Sequence, residues 1–97
     1  MEKINLNKIE YDTDKNKNVL AQTGKFKIRN IELETGEQIP ECNMENWVIF
    51  YVRQGKGKIF INQNPQNINK EEIVFTEPAK VSIEAKEAMK ILGIIIQ

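Results

Sequence analysis

GEQIPECNMENWVIFYVRQG, residues Gly36 to Gly55, is the stretch that decides the fold. A glycine turn opens it, Ile39-Pro40 holds the chain extended into a short polar corner, and Trp47 to Val52 form a continuous apolar strand that ends at Gln54-Gly55. An apolar run of six residues between turn signals is the length of a buried strand and too short for a helix.

The same alternation of strand and turn extends in both directions. Before the stretch, Val19 to Gln22 and Lys25 to Leu33 read as strands around Thr23-Gly24. In the second of these, Phe26 and Ile28 share one parity while Ile31 and Leu33 take the other, which predicts a β-bulge near Asn30. Ile4 and Leu6 alternate as a first strand. Beyond Gly55, Lys58 to Ile61 is a strand, Asn62 to Pro65 a reversal, and Gln66 to Ile68, Ile73 to Thr76 and Val81 to Ile83 are further strands. Glu84 to Lys90 is helical in composition but too short to hold a helix, so it reads as a turn before a closing strand, Met89 to Ile96, bent at Gly93. About eight or nine short strands at this spacing predict an all-β sandwich or barrel.

Composition agrees and narrows the chemistry. Fifteen isoleucines and eleven asparagines favour strands joined by polar turns over a helical bundle. The 97 residues suit one domain, in which roughly 60–70% of the unfolded surface can be buried. Fourteen basic residues balance fourteen acidic ones without a block of either sign, so no nucleic-acid or membrane-surface partner is expected. No apolar run approaches the roughly 18 residues of a membrane span, and the first ten residues have no signal-peptide core. Cys42 is the only cysteine, so no internal disulfide can form and a cytoplasmic location is expected. The chain has no histidine, the commonest metal ligand and neutral-pH acid–base group. Asp12 to Asn18 has the oxygen side chains of a calcium loop, but Lys17 replaces the turn glycine and Thr23 the closing glutamate, which leaves an ordinary solvated loop.

The spacing across Gly36 to Gly55 resembles the first motif of the cupin superfamily, G-x5-H-x-H-x3-E-x6-G, with both glycines in place and Cys42, Met44 and Val48 at ligand positions. Glu71 to Ser82 follows the rhythm of the second motif, G-D-x-V-x-x-P-P-x-x-x-H, its histidine falling on Ser82 or, one residue along, on Ile83. The resemblance implies a single-domain, double-stranded antiparallel β-barrel of jelly-roll type over 1–97, with N-terminal strands and loop in 1–24 and the barrel core in 25–97. It also implies a site in the barrel mouth and a homodimer.

The family's metal site uses three imidazoles and a carboxylate, whereas Cys42, Met44, Val48 and Ser82 offer a thiol, a thioether, a hydrocarbon and a hydroxyl. No metal, cofactor or catalytic residue is therefore expected, and the reading leans away from an enzyme. The residues expected at the barrel mouth for a small organic ligand are Cys42, Met44, Val48, Phe50, Tyr51 and Ser82, with Glu41, Glu45 and Lys80 at the rim. The function expected is a metal-free binding module or a dimerisation and regulatory module. One alternative is a metal-independent isomerase or lyase acting on a sugar or small acid through Tyr51 and a carboxylate. Another is a Cu(I) site at Cys42 and Met44, two soft sulfurs on one face of an extended segment.

With Val48 inward, Phe50 and Val52 also point inward and Trp47, Ile49 and Tyr51 outward. An inward Ser82 turns Val81 and Ile83 outward, and Leu92, Ile94 and Ile96 stand opposite Ile91 and Ile95 on the closing strand. These strands are thus expected to be apolar, and covered, on both faces. The N-terminal strands can cover one sheet, and a second subunit is the simplest cover for the rest.

Overall fold

A computed structural model describes residues 1–14 and 18–97. The described residues form nine strands: β1 (Val19–Gln22), β2 (Phe26–Leu33), β3 (Gln38–Met44), β4 (Val48–Gln54), β5 (Lys56–Ile61), β6 (Asn64–Asn69), β7 (Ile73–Thr76), β8 (Ala79–Ala85) and β9 (Met89–Ile96). They form two antiparallel sheets, A in the order β1-β2-β9-β4-β7 and B in the order β3-β8-β5-β6. The fold is an all-β, jelly-roll type barrel. The middle of the calcium-like loop, residues 15–17 with Lys17 at its sixth position, lies outside the described residues.

Local chemistry explains several joints. Asn62 and Gln63, both at positive φ (50° and 69°), make the two-residue turn between β5 and β6. That is the hairpin turn whose twist matches the strands. Pro65 follows on β6 and Pro40 lies on β3, each an edge strand that can spare an amide donor. At Pro40 the β3–β8 register shifts between Ile39 and Cys42, so the polar corner read from the sequence is a bulged edge strand. Gly55 alone separates β4 from β5, at φ +81°. An added Cβ there would stand 2.0 Å from the Ala88 carbonyl oxygen.

Two expected elements change. Ile4 and Leu6 do not start a strand: Leu6–Lys8 is a 3-10 turn in which the Asn5 side chain accepts from the Asn7 amide and the Asn5 carbonyl accepts from Lys8, both at 3.0 Å. Local Asn–backbone bonding competes with extended pairing there. The bulge expected near Asn30 is also absent from β2, which pairs with β9 without a slip from Phe26 to Leu33. The irregularity lies in β1, between Val19 and Ala21.

The core between the sheets comes from alternate residues of the central strands. Val48, Phe50 and Val52 of β4, Met89 and Ile91 of β9, Ile59 of β5, and Val81, Ile83 and Ala85 of β8 are buried together. β4 therefore points as its alternation requires, with Ile49 and Tyr51 half-buried on the outer face. β8 takes the opposite parity from the one expected: Val81 and Ile83 are inward, and Ser82 lies outside between exposed Lys80 and half-buried Glu84. Sheet B consequently alternates apolar-in and polar-out along this strand. The two-sided apolar character belongs to sheet A, whose outer face carries Trp47, Ile73, Phe75 and Ile96 in exposed positions. Among the described residues no helix is long and apolar enough to cross a membrane.

Candidate functional site

A cavity of about 160 Å³ opens between the two sheets. Sheet B contributes Ile39, Cys42 and Met44 from β3 and Val81 and Ile83 from β8; sheet A contributes Val48 and Phe50 from β4, Gly93 and Ile95 from β9, and the β2 run from Arg29 to Leu33. Direct register partners share a face, which fixes these directions: Ile39 lies opposite Ile83, Cys42 opposite Val81, and Gly93 between Arg29 and Phe50. A Cβ on Gly93 would sit 3.2 Å from Ile31 Cδ1 and 3.5 Å from Phe50 Cε1, so glycine lets these two side chains pack down onto the β9 backbone. Tyr11, Asn18, Glu32 and Glu37 complete the mouth.

Of the six residues expected at the mouth, the structure brings four together: Cys42, Met44, Val48 and Phe50 line one cavity. Tyr51 and Ser82 do not join them. Tyr51 is on the outer face of sheet A, where its hydroxyl donates to Glu71 Oε1 at 2.9 Å. That bond holds the phenol above its ordinary value of 10.0, burial and the Glu71 charge adding to the rise while Arg53 opposes it. Ser82 pairs with Phe60 on the outer side of β8, and Ile83, the neighbouring choice of register, faces the cavity instead. Glu41, Glu45 and Lys80 are exposed and are not part of the lining.

The polar groups at the mouth are ones the sequence reading missed. Tyr11 is raised above 10.0, chiefly by burial, then by Glu37 and Glu32, with Arg29 acting in the opposite sense. Glu32 Oε2 accepts from Asn30 Nδ2 at 3.2 Å and Glu37 Oε1 from the Glu34 amide at 2.9 Å. Arg29 Nε and Asn30 Oδ1 are buried and make no hydrogen bond among the described residues. The signal for Arg29 was its parity: it alternates with Ile31 and Leu33, which places a cation on an apolar face once the bulge is removed.

The transition metal that this architecture accommodates elsewhere does not fit this donor set. The positions facing the cavity hold a thiol, a thioether and hydrocarbons, with no imidazole and no carboxylate among Cys42, Met44, Val48, Val81 and Ile83. Among the described residues no cluster of three or more His, Cys, Asp or Glu could hold a metal ion. Two sulfurs alone are also a thin shell for Cu(I).

A two-sheet antiparallel barrel with its opening between β2 and β3 and a small, mainly apolar cavity defines the class: the chain has the cupin fold. Solved structures that it resembles bear this out. A cupin superfamily protein from Desulfitobacterium hafniense matches at TM-score 0.74 and 22% identity over 80% of this chain and 72% of that one. An RmlC-like cupin from Shewanella frigidimarina matches at TM-score 0.75 and 10% identity, over 80% and 71% of the two chains. Salicylate 1,2-dioxygenase from Pseudoaminobacter salicylatoxidans matches at TM-score 0.70 and 15% identity, over 73% of this chain and 20% of the enzyme. No family model and no curated protein matches the sequence.

Proposed function

We propose that this protein is a metal-free cupin that binds a small organic molecule in its barrel and performs no chemistry on it. The observation that carries the reading is the replacement of a metal's ligand set by apolar wall: Met44, Val48, Val81 and Ile83 converge on a cavity large enough for roughly a benzene-sized body. The enzyme alternative is weakened by Tyr51, whose hydroxyl is committed to Glu71 on the opposite face of the sheet. A cytoplasmic setting suits the lone, exposed Cys42 thiol.

Native mass spectrometry with elemental analysis of the purified protein tests the reading. A co-purified organic molecule released on unfolding is the expected result. A stoichiometric transition metal would overturn it.

A second reading concerns assembly, and a specific observation favours it. Phe75, Ile49, Ile94 and Ile28 lie side by side across four strands of sheet A, on the face where Trp47, Ile73 and Ile96 are also outward. An apolar array of this extent is unusual on a monomer, and the antiparallel sheet normally has a solvated face. We infer that two copies pack sheet A against sheet A as a homodimer. Sedimentation equilibrium giving a monomer at tens of micromolar would refute it.

A further inference from the structure

A purely apolar barrel has no use for a cation, yet half-buried Arg29 lines this one. It occupies a row with Gly93 and Phe50, on the face where Ile31 and Leu33 pack against the core. Gly93 adds no side chain of its own to the cavity that it lines together with Arg29 and Phe50. Arg29 Nε is buried without an acceptor, and no carboxylate among the described residues lies within ion-pairing distance of the guanidinium. A buried donor that carries charge is costly to leave unpaired.

We propose that Arg29 is the anchor for the carboxylate of a small apolar monocarboxylic acid bound in the barrel. This rests on the reading of the cavity as a small-molecule site and adds the chemical class of its occupant. The walls take the apolar part of the acid, a single ring or a short branched chain at this volume. Glu32 and Glu37, which also line the opening, do not cancel the attraction. Their carboxylates are held by Asn30 and by the Glu34 amide, and Glu37 is exposed to water that screens it. Arg29 Nε is away from water, where the same charge acts more strongly. The two acids at the mouth oppose a second negative charge on the ligand, which selects a monocarboxylate over a dicarboxylate.

Titrations of the full chain with benzoate and with its neutral isostere benzamide, followed by amide NMR shifts, test the anchor. Benzoate is expected to bind the native protein about tenfold or more tightly than benzamide, the ratio that a charge-assisted hydrogen bond supplies. Arg29→Met should abolish that preference, bringing the two affinities together. Equal affinities for the two compounds in the native protein would overturn the anchor while the barrel site stands, and need no variant to fold. If neither compound, nor toluene, shifts Phe50 or Gly93, the small-molecule reading falls and the anchor with it.

Discussion

Replacing each of the glycines that bound the opening stretch by alanine separates two costs that the sequence presents as one. Gly36 and Gly55 have nearly the same backbone, φ +83° and +81°. Adopting that left-handed conformation costs a non-glycine residue about 1–2 kcal/mol, of which about 0.4–1 kcal/mol is returned by the stiffer unfolded chain. Around Gly36 a Cβ would meet nothing within 4 Å, so Gly36→Ala should lose about 1 kcal/mol in all. Around Gly55 it would stand 2.0 Å from the Ala88 oxygen, 2.8 Å from its carbonyl carbon and 3.0 Å from Met89 Cα. All three are backbone atoms, two at the end of the β8–β9 connection and one at the start of β9, and they must move away. That connection is tied down by Lys86 and Glu87 amides donating to the Lys56 carbonyl at 3.0 and 3.1 Å. Overpacking at about 1–3 kcal/mol plus about 1 kcal/mol for each weakened bond, on top of the same backbone cost of about 1 kcal/mol, brings Gly55→Ala to about 4–6 kcal/mol. That is a large share of the roughly 5–15 kcal/mol that holds a domain together. Thermal unfolding followed by circular dichroism should fall by about 4–8 °C for Gly36→Ala and by about 15 °C or more for Gly55→Ala. Equal losses for the two variants would refute the idea that close approach to the β8–β9 turn fixes Gly55.

Ile59 is completely buried on β5, and Ile59→Ala should cost about 2–5 kcal/mol in urea unfolding, whereas Ser82→Ala, on the outer side of β8, should stay within about 0.5 kcal/mol. Trp47→Lys combined with Phe75→Lys places like charges on the outer face of sheet A and should convert a dimer to a monomer in sedimentation with the fold retained. The protein has two tyrosines, both raised above 10.0, so absorbance titration should show phenolate forming only beyond the usual range, and Glu71→Ala should return Tyr51 toward it. Because the folded chain keeps these protons after the unfolded chain has released them, the linked stability is whole below pH 10 and declines as pH rises from there toward the folded values.

How much was legible depended on how far a pattern could be read within one strand. Along β4, Val48, Phe50 and Val52 point inward and Ile49 and Tyr51 outward, because the side-chain period of two is a property of the strand alone. On β8 the same reasoning started from Ser82 as an inward ligand position and inverted the whole strand. A shift of one residue costs every assignment at once. The phase change in β2 misled in the same way. Phe26 and Ile28 lie on the outer face of sheet A, so two apolar parities on one strand meant apolar side chains on both faces, not a bulge.

By itself the sequence determined the all-β class, most of the strands and turns, and the thiol, thioether and hydrocarbon at the motif's ligand positions, since all of these depend on residue type and local spacing. Tertiary structure decided which parity of β2 and β8 faces inward, that Arg29 rather than Ser82 or Tyr51 reaches the barrel, and that sheet A rather than sheet B carries the exposed apolar face. Those outcomes belong to pairings between distant strands, β2 with β9 and β8 with β5, and a strand cannot state its own register until its neighbour is in place.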